Sequence, residues 1–237
     1  MTLARRVTAE ALGTALLLAA VVGSGIMGER LAAGNIAIAL LANTLATGAM
    51  LATLILTFGP ISGAHFNPAV TLADASQGGL PWRDVPGYLT AQVAGAFAGV
   101  AAAHLMFGEP VFRASRHTRA GGAQLFSEFI ATFGLLTVIW GCGRLRSAAV
   151  PFAVAAYITG AYWFTASTSF ANPAVTLARS ASNTFAGIRP VDAPGFIVAQ
   201  LAGAAAATIL FRWLVPSLPK DAGAVVVPHS SQTGANI

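Results

Sequence analysis

Charge is what this chain has least of. Only 9% of its 237 residues are Asp, Glu, Lys or Arg, while 56% are hydrophobic. Soluble domains carry about 25% charged residues, so the deficit alone argues for a membrane protein. The net charge of +5 is spread over loops and ends, not gathered into a basic stripe, which argues against a nucleic-acid partner. Cysteine is almost as scarce. A lone Cys142 excludes an intramolecular disulfide and cannot build a thiolate metal site by itself. No catalytic constellation, resident metal site or cofactor motif stands out, so an enzyme is not expected.

What is there in quantity is uncharged hydrophobic sequence. Residues 11–28 carry no charge and read as a first transmembrane helix rather than a secretory signal, because several more spans follow. The next uncharged run, residues 31–73, far exceeds the about 20 residues that one span needs. Gly59-Pro60 is expected to break it. The run then divides into a span near residues 35–58, a loop that re-enters the membrane, and a half-helix over residues 68–76. A third span is expected over about 83–107, followed by a polar connector with Arg113, Arg116, His117 and Arg119. The pattern then restarts: a fourth span over about 125–142, a fifth over about 148–165, a second half-helix from Pro173, and a last span over about 193–214. The tail, 215–237, reads as disordered. Residues 1–214 are thus expected to form one unit, with repeats over about 8–107 and 125–214.

The repeat is visible in the letters. Asn-Pro-Ala-Val-Thr-Leu-Ala occurs at 67–73 and again at 172–178. Glu10-x-x-x-Thr14 recurs as Glu128-x-x-x-Thr132, and Gln92-x-Ala-Gly-Ala recurs from Gln200. Three spans per half force the second half to lie inverted relative to the first. The expected fold is therefore all-α and membrane-embedded, an inverted repeat of six transmembrane helices plus two re-entrant half-helices that meet near the midplane. Arg and Lys divide almost evenly between the two sides, but Arg5 and Arg6 ahead of the first span favour cytoplasmic termini. Trp82, Trp140, Trp163 and Trp213 then fall near span ends, where interfacial anchors are expected.

Each Asn-Pro pair is a helix start, with Asn as N-cap and Pro at the first helical position. Two such starts facing each other in the membrane present free amide donors and positive dipole ends, which repel cations and protons. A neutral solute can accept hydrogen bonds there from Asn67 and Asn172. Unwound backbone before each start is tolerated at that depth only inside protein or along a wet path. The constellation reads as a pore for small neutral solutes in a lipid bilayer.

Ser-Gly-Ala-His-Phe-Asn-Pro-Ala-Val-Thr-Leu at 62–72 and the second Asn172-Pro173-Ala174 resemble the major intrinsic protein family, the aquaporins and aquaglyceroporins. The resemblance covers roughly residues 8–214. It implies one pore per subunit, a homotetramer, a place in the bacterial inner membrane, and pore-lining signatures at Asn67, Pro68, Ala69, Asn172, Pro173 and Ala174. It also implies that Glu10 and Glu128 brace the re-entrant loops, although proton-coupling carboxylates are a rival reading.

By spacing from the two motifs, the family's filter positions fall on Thr47, Gly160, Ser169 and Val175. Where most members carry Arg this chain has Val175, and the quartet contains no aromatic. That pattern implies a wide filter without a fixed cation, resembling a bacterial branch associated with arsenic detoxification. Water, glycerol and neutral metalloid acids such as arsenite become expected cargo. An osmotic water and glycerol facilitator is the alternative within that class, and an ion-coupled secondary transporter is the alternative of another class, since inverted repeats and broken helices occur there too. His65 matches a pore-lining loop histidine, structural or gating. His104 is expected as a satisfied bundle histidine, and His117 with its neighbouring arginines as a solvated outer loop. Arg179 and its repeat mate Asp74 either face the pore or pair with loop charges.

Overall fold

A backbone surrounded by hydrocarbon must satisfy its own hydrogen bonds, and most of this one does so as helix. The computed structural model describes residues 1–215. It contains α1 (Leu3–Leu31), α2 (Ile36–Ser62), α3 (Pro68–Ser76), α4 (Val85–Phe107), α5 (Gly122–Leu145), α6 (Val150–Phe164), α7 (Pro173–Arg179) and α8 (Ala193–Leu214). Among the described residues six helices are long and apolar enough to cross a membrane, and α3 and α7 are the short ones. The second half repeats the order of the first: span, span, half-helix, span. The expected tail lies outside the described residues, save Val215.

Helix ends follow the side chains that can cap them. Asn35 opens α2 by accepting from the amides of Ala37 and Ile38, and Asn67 and Asn172 open α3 and α7 in the same way. The break expected at Gly59-Pro60 does not occur. α2 runs through both residues to Ser62 and ends at Gly63, whose φ of +90° suits glycine. Pro60 sits in the last turn, where its missing amide costs a single helical bond, and membrane helices tolerate that cost.

α1 packs along α4 and α2, α5 along α8 and α6, and α2 meets α6 between the two halves. Close approach is set by glycine. A Cβ at Gly95 would overlap the Ala11 carbonyl, and one at its repeat mate Gly203 would overlap the Phe129 carbonyl. The recurring Gln-x-Ala-Gly-Ala thus has a packing reason: its small residues let α4 and α8 rest directly on the backbones of α1 and α5.

The tryptophans divide. Trp82, Trp163 and Trp213 are exposed on the outside of the subunit, as interfacial anchors require. Trp140 is fully buried, and its indole N–H donates to Thr208 Oγ1 at 3.3 Å. Its expected interfacial place is corrected: an inward-facing position on α5 with a hydroxyl partner on α8 lets the ring sit in the core.

Replacing Gly203 with leucine should cost at least about 3 kcal/mol, because the clash is with backbone rather than a movable side chain. Melting in detergent should drop sharply for Gly203→Leu. Gly122→Ala, at the exposed start of α5 with open space around it, should shift stability by less than about 0.5 kcal/mol.

Candidate functional site

The re-entrant segments 63–67 and 168–172 adopt a backbone that side chains disfavour. Gly63, Ala64 and Phe66 have φ of +90°, +51° and +48°, and their repeat mates Thr168, Ser169 and Ala171 have +61°, +51° and +49°. Left-handed backbone at non-glycine residues costs about 1 kcal/mol each and survives only where the surroundings dictate it. Here two buried carboxylates dictate it. Glu10 accepts from the backbone amides of His65 (3.0 Å) and Phe66 (2.7 Å), from Ser62 Oγ (2.7 Å) and from Gln92 Nε2 (2.8 Å). Glu128 accepts from the amides of Phe170 and Ala171 (2.8 Å each) and from Gln200 Nε2 (2.6 Å). The two glutamines also donate to Thr71 and Thr176 on the half-helices, at 2.8 and 2.9 Å.

So held, α3 and α7 meet end to end through their first residues. Asn67 donates from Nδ2 to the Ala171 carbonyl, and Asn172 donates from Nδ2 to the Phe66 carbonyl, both at 2.7 Å. Their side-chain oxygens cap their own helices, at Ala69 for Asn67 and at Ala174 and Val175 for Asn172. An amide nitrogen has two hydrogens. One on each asparagine is spent on this crossing, and the other is available to the cavity that both residues line.

That cavity, of about 70 Å³, has room for a few water-sized molecules. Its walls are apolar: Leu17 and Val21 of α1, Leu51 and Ile55 of α2, Leu135 and Ile139 of α5, and Val150, Val154 and Ile158 of α6. Polar groups come from the loops and from a few side chains. Thr47, Ser169 and Val175 line it, as do His65 and Arg179. Gly160 does not. It faces the outside of the bundle, with open space where a Cβ would be, and its expected filter place is corrected. The inward face of α6 runs Val150, Val154, Ile158 and Tyr162, a four-residue spacing that turns residue 160 away. Tyr162 stands in the place expected of Gly160, with its hydroxyl 3.3 Å from Thr47 Oγ1.

The expected absence of aromatics and cations is corrected with it. Tyr162 and Phe170 both line the cavity, and so does Arg179, 2% exposed, with its guanidinium carbon 3.4 Å from the centre of the Phe170 ring. Arg179 Nε donates to the Ala186 carbonyl rather than to a loop carboxylate. Arg119 is not part of a solvated loop either. It donates to the carbonyls of Gly187 and Ser167 at 2.9 Å, and its guanidinium lies 4.9 Å from the centre of the same ring. Burial pushes the Arg119 guanidinium below its ordinary value, with the charge of Glu128 acting in the opposite sense. The Arg119 amide donates to Asp192, whose carboxyl the neighbouring Arg189 holds below the usual carboxylate range.

At the other end, Asp74 does not line the cavity. Its carboxylate lies 3.6 Å from His65 Nε2, while His65 Nδ1 is 3.1 Å from Thr71 Oγ1. His104 is buried away from the cavity, and its Nε2 pairs with Ser182 Oγ at 2.9 Å.

A membrane helical bundle with two half-helices crossed over a narrow internal cavity is the architecture of a channel. The family model for the major intrinsic proteins matches residues 1–145 and 141–236. The aquaglyceroporin AqpS of Rhizobium meliloti (strain 1021) is 59% identical over 218 residues, covering 92% of this chain and 93% of that protein. A probable glycerol uptake facilitator of Thermotoga maritima is 37% identical over 113 residues, covering 43% of this chain and 48% of its own length. In fold, the X-ray structure of the aquaglyceroporin from Plasmodium falciparum superposes with a TM-score of 0.70 at 18% identity, covering 92% of this chain and 99% of that one. The chain belongs to the major intrinsic protein family, a family of multi-pass membrane channels and not of enzymes.

Glu128→Gln should destabilise the protein by about 3 kcal/mol or more. A glutamine offers one acceptor where the loop needs several, and its own N–H₂ must face donors. Thermal melting in detergent checks this, and Glu10→Gln should behave alike. Unchanged melting in both would show that the loops hold their shape without the carboxylates.

Proposed function

We propose that this protein is a passive channel for small uncharged solutes, water and glycerol among them, with neutral metalloid acids such as arsenite as further cargo. The observation that carries the reading is the cavity between α3 and α7, into which Asn67 and Asn172 each turn a spare amide hydrogen. A solute hydroxyl can replace its lost water there while apolar walls fill the rest of its surroundings. The saturation of Glu10 and Glu128 by loop donors supports a bracing role over proton coupling. Thr47, Tyr162, Ser169 and Val175 form the filter in this reading, with Val175 small where the family's arginine usually stands. The relatives named as aquaglyceroporins and as a glycerol facilitator support the cargo class. We place residues 1–214 in the bacterial inner membrane as one channel unit of a homotetramer, with both termini cytoplasmic and the Arg179 mouth outside.

Stopped-flow measurements on proteoliposomes with water, glycerol, urea and arsenite test the reading. Saturable uphill accumulation that requires an ion gradient would replace the channel with a coupled transporter. Flux that ionophores leave unchanged is the expected result.

Two variants probe the filter and the wall. Val175→Arg puts a long cationic side chain into the cavity, so glycerol flux should fall at least about tenfold more than water flux, the equivalent of about 1.4 kcal/mol. Equal loss of both would mean general blockage. Cys142 packs on the hydrophobic core without lining the cavity, so mercurials should block weakly and Cys142→Ser should change little.

A further inference from the structure

Arg179 and Arg119 give one mouth of the cavity a positive charge that no direct ion pair neutralises among the described residues. Among the described residues neither guanidinium pairs with a carboxylate. The negative group that acts on both is Glu128, one charge against two, and its oxygens are taken by the Phe170 and Ala171 amides and by Gln200. The two arginines differ in what they have left to offer. Arg119 commits Nε to the Gly187 carbonyl and one amino group to the Ser167 carbonyl and Thr168 Oγ1. Arg179 spends only Nε, on the Ala186 carbonyl, so among the described residues its two terminal amino groups have no acceptor. Phe170, whose ring both guanidiniums approach, stands edge-on to Phe196 at 5.3 Å between ring centres and supports the Arg179 guanidinium over its ring.

A second group on the same wall is also without a partner. Ser169 is 3% exposed, lines the cavity, and its hydroxyl makes no hydrogen bond among the described residues. Tyr162 adds a hydroxyl whose contact, Thr47, can serve as donor or acceptor. A buried cation with free amino groups, a buried unpaired hydroxyl and a phenol converge on one small space. Buried polar groups left so are ordinarily met by a ligand or solvent, because leaving them unmet is costly.

We propose that this mouth is a binding site for a small monoanionic oxyacid, with Arg179 as its specificity-determining residue. Two oxygens of the anion take the two amino groups of Arg179, the geometry in which a guanidinium binds an oxyanion best. Ser169 and Tyr162 donate to the remaining lone pairs, and Arg119 holds Phe170 and adds its field from behind. The cavity's small volume limits the occupant to a few heavy atoms. The site is a cationic post set one helical turn beyond Val175, beside the path of neutral solutes. Its occupant therefore competes with them. The competition rests on the channel reading above; the binding does not.

The probe is methanesulfonate, permanently ionised and small, with formate as a second and bulky gluconate at equal ionic strength as the comparison. In proteoliposomes at pH 7.5, methanesulfonate should slow glycerol flux saturably and gluconate should not. Binding is read independently in detergent as a rise in melting temperature with methanesulfonate over gluconate. Arg179→Leu should weaken both effects at least about tenfold, since a lost charged hydrogen-bond pair is worth that or more. Arg179→Lys should recover part of the effect and Ser169→Ala should weaken it a few-fold, so a misfolded Arg179→Leu leaves two variants to decide. Equal responses in wild type, Arg179→Lys and Ser169→Ala would overturn the site, as would the absence of both competition and melting shift in wild type. A melting shift in a protein that passes no glycerol would overturn the channel reading and leave the site standing.

Discussion

Everything in the centre of this molecule depends on two carboxylates taking up amide hydrogens that have no helix to go to. A loop that re-enters the membrane exposes backbone donors in a medium without water, at several kcal/mol for each one left unmet. Glu10 and Glu128 meet those of His65, Phe66, Phe170 and Ala171, and so fix the left-handed backbone at Ala64, Phe66, Ser169 and Ala171. Gln92 and Gln200 carry the constraint onward, each joining its carboxylate to a threonine of the half-helix. Only with both loops fixed can Asn67 and Asn172 reach the carbonyl across from them. The burial of two acidic groups is thus a condition of the cavity's shape.

The frame is symmetric and its furnishing is not. His65 and Phe170 hold equivalent places in the two loops, and each faces the charge that its chemistry suits. The imidazole stands against the Asp74 carboxylate, and the phenyl face stands against the Arg179 guanidinium. Ala64 is matched by Ser169, which brings a hydroxyl to one end only. A duplicated scaffold therefore carries an acidic group near one end of its cavity and cations at the other. The polarity along the path comes from side chains, because the paired half-helices oppose each other and their dipoles cancel along it.

How much of this was legible in the sequence follows how local each signal is. An Asn-Pro start needs only its neighbours, and the half-helix expected over 68–76 is found as Pro68–Ser76. The six spans and the repeat follow from long uncharged runs and matching letters. Gly160 was misplaced because counting back from Asn172 crosses the irregular segment 165–172, whose rise per residue no rule supplies. The four-residue spacing of Val150, Val154, Ile158 and Tyr162 was the signal that could have found the true inward face. Pro60 misled because a breaker in a last turn removes little. Trp140 misled because the rule for interfacial tryptophan knows nothing of Thr208 on another helix. Arg119 read as loop charge, and only the tertiary fold brings it to Phe170.

The filter shows why composition at aligned positions is a poor guide to electrostatics. Reading Val175 alone suggests a passage that has lost its cation. An arginine side chain spans more than one helical turn, and side chains on a helix lean toward its N-terminus. From residue 179 the guanidinium therefore reaches back toward the cavity while residue 175 stays small. What changes is the direction of approach. A cation rooted at 175 projects into the passage and narrows it. One rooted at 179 lies over the Phe170 ring, tethered to the Ala186 carbonyl, and leaves Val175 as a small side chain on the cavity wall. In the filter proposed above, width and charge, which a single arginine couples, fall to two residues one turn apart.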